Sequence, residues 1–330
     1  MTTSRARVPL TRFAAVSSGT GCALHAASMG DDSNVTWRSV LSRPLEHDVF
    51  QPLSAVVTVE AAAASVCGAA RAQNTDHYLA IELTRQQRTL LSSLPESDLP
   101  APFTEHGYAL IVADGLGQSG AGARASRVAL STLAHLAVRY GRWNLRVNAA
   151  NAGELTDLGE FYYRRTHDAL LDAKRDDPSL SEMAASVTAV YIAGGDLFFA
   201  HVGHAKAFLY RDGRLLQLTV DHTLERERAE SKGGVQTGRQ GQDAIHELTD
   251  VVGGANDPRV DIEHFELVTG DRLLLCTNGL TDAIGHNEIA GVLALKRRAA
   301  DDCQRFVDLA RTAHAADDDT VMVADYMVRR

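Results

Sequence analysis

Apolar residues in this chain follow two patterns: short unbroken runs, and longer stretches where they recur every three or four positions. Residues 54–68 are rich in Val and Ala and read as a strand, with residues 77–83 as a second. Residues 108–113 form a continuous apolar run that stops at Asp114-Gly115, which predicts a buried strand delivering an acid at its end. Ala125, Val128, Ala129, Leu133, Leu136 and Tyr140 mark one apolar face of a helix. Leu155, Leu158, Tyr162, Ala169 and Ala173 mark a second helix, stopped near Pro178. Strand patterns return at 187–192, 196–202 and 206–210, and Asp212-Gly213 turns the chain into 214–218 as a hairpin. Residues 272–276 read as another buried strand, ending at Asn278-Gly279. A helical stripe through Cys303, Phe306, Val307, Ala310 and His314 precedes a closing strand at 320–328.

Between these elements, residues 84–106 are polar, carry Pro95, Pro100 and Pro102, and predict a long connection. Residues 223–258 are polar and Gly-rich and predict a mobile surface segment. Its start is anchored by Asp221-His222, and residues 225–230 read as a solvated helix face. Strand runs flanked by helix runs, without strict alternation, indicate an α+β fold with antiparallel sheets packed between helices.

Composition narrows the class. The 330 residues are 45% apolar and 23% charged, which fits a globular chain and excludes disorder throughout. Lys+Arg 33 against Asp+Glu 42 gives a net charge of −9, so nucleic acid is not an expected partner. No apolar run approaches the roughly 18 residues of a membrane span, so no membrane partner is expected. The four cysteines stand far apart with no Cys-x-x-Cys pair. That excludes a zinc ribbon and fits reduced, mostly buried thiols in a cytoplasmic protein. Residues 1–50 read as a disordered leader and 51–330 as one domain. The first thirty residues hold Arg5, Arg7 and Arg12 but no acid. That composition resembles a transit peptide, and a plain leader, or a start at Met29, explains it as well.

The chemistry lies in acids at strand ends. Asp76, Asp114, Asp282, Asp317 and Asp318 each border an apolar run. Taken singly, Asp-Gly pairs are turns. Carboxylates gathered at one end of a sheet need a cation between them, and hard oxygen donors suit Mg²⁺ or Mn²⁺. His201 and His204 stand three apart, but no further Cys or His has the spacing of a zinc site. Cys276 ends a buried strand and reads as core.

Order and context give these acids meaning. Val112-Ala-Asp114-Gly115-Leu-Gly117, followed by Gly122-Ala-Arg-Ala-Ser126, resembles the V-A-D-G-M-G-G…G-x-x-A-S segment of the type 2C metal-dependent protein phosphatase family. Further blocks follow the family order. Arg71-Ala-Gln-Asn-Thr-Asp76 is similar to R-x-x-N-E-D, and residues 197–224 resemble the block built on V-G-D-S-R-A-Y…R-D-G…L-T-x-D-H-S-L. Residues 270–282 are similar to G-D-R-L-L-L-C-S-D-G-L-T-D, and Asp317-Asp-Asp-Thr-Val321 to D-N-x-T-V. The resemblance covers roughly residues 54–330.

It implies a four-layer α-β-β-α sandwich of two antiparallel sheets flanked by helices, with a two-metal site at one end. Asp114 would bridge both Mn²⁺ or Mg²⁺ ions, the Gly115 carbonyl would help hold one, and Asn278 and Asp317 would complete the other's shell. Arg71 would bind phosphate, and Asp76 would support metal-bound water. His204 and Asp282 match the acids of an additional metal. The implied reaction is hydrolysis of phosphoserine or phosphothreonine in a protein, with a cognate serine/threonine kinase as a further partner.

Departures from the pattern fall on this chemistry. Thr75 replaces a Glu, Asn278 a metal-binding Asp, and His204-Ala205 an Asp-Ser pair, while Ala185-Ser186 replaces a G-T-T turn. Losing a unit charge about 4 Å from a cation forfeits on the order of 4 kcal/mol per cation charge before screening. Two expectations therefore stand side by side: a phosphatase with weakened metal binding, or an inactive pseudophosphatase that binds a phosphoprotein or kinase. In the first, Asp318 is an extra acid available to compensate.

Overall fold

The computed structural model describes residues 53–99, 102–118, 120–141, 152–224, 226 and 248–329. The expected leader and nearly all of the 225–230 helix face lie outside them. One five-stranded sheet runs, edge to edge, β1 (Val57–Val66), β10 (Asp319–Val328), β9 (Arg272–Cys276), β6 (Lys206–Arg211), β7 (Arg214–Gln217). The other runs β2 (His77–Gln87), β3 (Phe103–Leu116), β4 (Ala184–Ala193), β5 (Asp196–Val202), β8 (Asp261–Glu266). Every neighbouring pair in both sheets is antiparallel.

Strand alternation divides the apolar residues between two sides. Leu110 and Val112 of β3 point between the sheets, where they meet Val190, Leu197, Phe199, Leu273, Met322 and Tyr326. Ile111 and Ala113 point the other way, onto α1 (Ala121–Tyr140) and α2 (Ala152–Asp176). The unbroken run at 108–113 thus marks a strand covered on both faces. The first sheet is treated alike. Its Leu274, Cys276, Val321 and Val323 pack in one cluster with Leu280 of α3 (Asn278–Ala283), Ile289 of α4 (His286–Ala294) and Phe306 of α5 (Ala299–Thr312). Full burial of each such side chain contributes about 1.5–3 kcal/mol, so a charged residue at Val112 or Val323 would undo a layer. The result is the expected α-β-β-α sandwich.

The structure corrects the chain pattern in several places. The connection expected at 84–106 is shorter, because β2 continues to Gln87 and β3 begins at Phe103. Thr84, Arg85 and Gln86 pair with His106, Glu105 and Thr104 on the rim of the sheet. Their polarity marks an edge strand, with one long side in solvent, rather than a loop. Strand β8, which sequence pattern did not reveal, is the opposite edge and is polar for the same reason. Asn278-Gly279 does not form a tight turn. It opens α3, with Thr277 at the cap position. Strand β3 also runs on past its acid, so Asp114 lies within the ladder opposite Ser186.

Candidate active site

Antiparallel pairing brings alternate connections to one rim of the sandwich. Arg71 lies between β1 and β2, Asp76 immediately before β2, and Asp114 near the end of β3. His204 sits between β5 and β6, Asn278 just after β9, and Asp317 just before β10. The sequence-predicted residues therefore share one end of the fold.

Asp114 is buried, with its Oδ2 3.5 Å from His204 Nε2. Burial pushes its carboxyl well above the usual range, the charges of Asp76 and Asp317 add to the rise, and Arg71 opposes it. Asp76 is likewise buried and is pushed up to about 7, chiefly by desolvation. Thr277 opposes this by donating a 2.7 Å hydrogen bond to Oδ2, and Asp318 adds to it. Near the surface, the half-exposed Arg71 donates through Nε to Asp317 Oδ1 at 2.7 Å, with Nη2 at 2.6 Å from the same oxygen. Partial burial works against the Arg71 charge, but Asp317 outweighs it and the guanidinium pKa is raised. The two groups form a solvent-facing mouth over a buried pair of acids.

The walls are backbone and hydroxyls. Gly115 lies so close to the first turn of α1 that a Cβ there would stand 2.0 Å from the Gly122 carbonyl oxygen. Only glycine allows this approach, which seats α1 against the strand bearing Asp114. Ser126 of α1 donates to the Thr75 carbonyl at 2.5 Å, tying the helix to the stretch that ends in Asp76. Ser186 Oγ accepts from the backbone N–H of His204 and of Ala205, both at 2.9 Å, and so fixes the turn carrying His204. Lys206 Nζ lies 2.9 Å from Asp221 Oδ2, and His222 Nε2 2.9 Å from Asp261 Oδ2. Asp221-His222 thus anchors the start of the segment that follows. Thr277 and Ser126 were given no role from sequence, and Ser186 was marked only as part of a departure from the family pattern. The available signal was that Thr277 and Ser126 fall in the recognised blocks beside the acids.

A fit test for a cation rests on the oxygens left over. Asp76 Oδ1 and Asn278 Oδ1 are buried and accept no hydrogen bond. Buried acceptors without donors are costly, and a hard cation at Asn278, with its bound water at Asp76, would satisfy them. Among the described residues no three His, Cys, Asp or Glu groups converge to hold a metal. The expected set itself counts only two such groups, Asp114 and Asp317, alongside the Asn278 amide and the Gly115 carbonyl. These donors fit a divalent cation. The additional site fits less well, because Asn278 Nδ2 donates to Asp282 Oδ2 at 3.1 Å and His204 faces Asp114.

Comparison with known proteins bears on the family and the fold. The protein phosphatase 2C family profile matches residues 91–318, which leaves Arg71 and Asp76 outside the matched range. The serine/threonine protein phosphatase PstP of Mycobacterium tuberculosis is 29% identical over 223 residues, covering 66% of this chain and 40% of PstP. The chain thus spans less than half the length of that relative. The serine/threonine phosphatase stp of Listeria welshimeri is 26% identical over 222 residues, 66% of this chain and 83% of stp. The crystal structure of the PstP catalytic domain, in complex with two manganese ions, superposes with a TM-score of 0.61 at 25% identity. It covers 82% of this chain and 99% of that domain. The chain belongs to the protein phosphatase 2C family.

Proposed function

We propose that this chain is a metal-dependent protein serine/threonine phosphatase acting on phosphoserine and phosphothreonine in the cytoplasm, with Mn²⁺ or Mg²⁺ as cofactor. The carrying observation is the pair of buried acids, Asp76 and Asp114, under the Arg71–Asp317 mouth, with acceptor oxygens left for a cation. Asp114, the Gly115 carbonyl, the Asn278 amide oxygen and Asp317 would hold the metal ions. When bound, the ions supply an activated water and neutralise charge on the phosphoryl oxygens. Arg71 orients the phosphate through a planar, permanently charged fork, sharing its donors between Asp317 and the ester. Asp76 holds a proton or hydrogen bond at Oδ1, kept in place by Thr277 at Oδ2. Mouth exposure suits a side chain presented by a protein substrate, and a cognate kinase would supply the phosphorylated form.

The test is hydrolysis of p-nitrophenyl phosphate with millimolar Mn²⁺. Turnover that disappears with a chelator and in Asp114→Ala supports the reading, and turnover that survives either one overturns it. The second reading, a phosphoprotein-binding module without turnover, draws on the hydrogen bond that engages Asn278 with Asp282. It predicts a silent native chain that retains phosphopeptide binding.

A further inference from the structure

Two departures from the family pattern, Thr75 for Glu and Asp318 for Asn, stand 243 positions apart. In the fold they touch. Asp318 is fully buried, and its Oδ2 accepts from the Thr75 backbone N–H at 2.7 Å and from the Thr75 hydroxyl at 2.8 Å. Its Oδ1 accepts from the Gly68 N–H at 2.9 Å. The carboxylate therefore grips both ends of the loop that carries Arg71. Around it, Ala69 and Ala70 donate to the Ala315 and Ala316 carbonyls, and a Cβ at Gly68 would fall 2.3 Å from the Asp317 backbone. We infer that Asp318 is a positioning residue for Arg71, and that Thr75 and Asp318 are one exchanged pair. The acid has moved from the first loop to the last, so the pair still contains one carboxylate and one uncharged partner.

The argument is one of donors and acceptors. Both sides of the Asp318 carboxylate face N–H groups, so an Asn in its place must turn its own NH₂ against one of them. A glutamate at 75 would bring two acceptor oxygens, one for that NH₂ and one for the N–H it displaces, which makes Glu with Asn workable and Thr with Asp workable. The crossed combinations are poor. Asn with Thr leaves a buried donor unpaired, and Glu with Asp sets two carboxylates together.

This inference rests on the phosphatase reading for its functional meaning, but its test does not need turnover. Inorganic phosphate affinity in the presence of Mn²⁺ and the melting temperature are measured for native chain, Asp318→Asn, Thr75→Glu and the double variant, with KM and kcat for p-nitrophenyl phosphate where turnover exists. Asp318→Asn is expected to weaken phosphate binding about tenfold and to raise KM more than it lowers kcat, as a misplaced Arg71 requires. Thr75→Glu alone should weaken binding as well, and the double variant should recover most of the loss. Should Asp318→Asn fail to fold, Thr75→Val, which removes only the hydroxyl, must weaken phosphate binding while Thr75→Ser restores it. Additive losses in the cycle, or a Thr75→Val variant equal to native, overturn the inference. A native chain that binds phosphate without turnover overturns the phosphatase reading alone.

Discussion

At the scale of single residues, the site is governed by buried oxygens that lack a donor. Asn278 brings a neutral oxygen where a carboxylate is expected, and that oxygen is buried without a donor. Asn278→Asp is expected to tighten Mn²⁺ binding tenfold or more, read by calorimetry, because a unit charge beside a cation outweighs an amide dipole. Unchanged affinity would mean that position 278 does not face the ion. Asp319 is a different case. It continues the row of Val321 and Val323 toward α5, and neither carboxylate oxygen has a partner. Asp319→Val should stabilise the fold by about 1–3 kcal/mol, because it replaces an unsatisfied buried polar group with one matching its neighbours. A lower denaturation midpoint in that variant would show that the carboxylate has a partner in solution.

At the scale of elements, the seat of α1 against β3 fixes where Asp114 points. Gly115→Ala would drive a methyl group into the Gly122 carbonyl, backbone against backbone, where no side chain can swing away. The expected loss is at least about 1–3 kcal/mol of stability, with activity falling further than stability, checked by denaturant melts beside p-nitrophenyl phosphate assays. A variant of native stability and activity would show that the contact can relax. These elements also mark how far the chain pattern could be read. Strands covered on both faces, such as β3 and β9, announced themselves as unbroken apolar runs. The far end of the edge strand β2, past residue 83, and all of the edge strand β8 did not, because a strand with one side in water can be polar along its length, as the 261–266 stretch is. The acids and Arg71 were legible because they sit in recognisable blocks. The hydroxyls that hold them were not, since Ser and Thr occur everywhere and only the fold brings Ser126 to Thr75 or Ser186 to His204. The Thr75–Asp318 contact was legible as two departures, but not as one interaction.

At the scale of the whole molecule, stability and pH meet at buried histidine. His201 is a buried residue of β5, with Nε2 3.1 Å from the Val220 carbonyl and Nδ1 2.8 Å from the Thr188 hydroxyl. Burial holds its pKa well below the ordinary value, and the nearby His222, Lys206 and His204 reinforce this against an opposing hydrogen bond at Gly203. The folded state therefore keeps His201 neutral while the unfolded chain takes up a proton below about pH 6.5. Stability contributed by His201 is complete above that pH and falls as pH drops toward the depressed folded value, by up to about 1.4 kcal/mol per unit. His201→Gln, which keeps a donor for the Val220 carbonyl but takes up no proton, should flatten that part of the profile in denaturant melts between pH 5 and about 7. An unaltered slope would assign the acid sensitivity to other groups.

The ladder between β1 and β10 runs from Val57 opposite Val328 to Val66 opposite Asp319, joining the first and last strands of the domain along their full length. During synthesis, the loop bearing Arg71 must therefore wait for the segment bearing Asp317 and Asp318 to leave the ribosome. Until β10 emerges, β1 and β9 lack the strand they share, and Arg71 stands without Asp317 while its loop lacks Asp318. Such distant pairing is slow to form, and it ties assembly of the candidate site to completion of the sandwich.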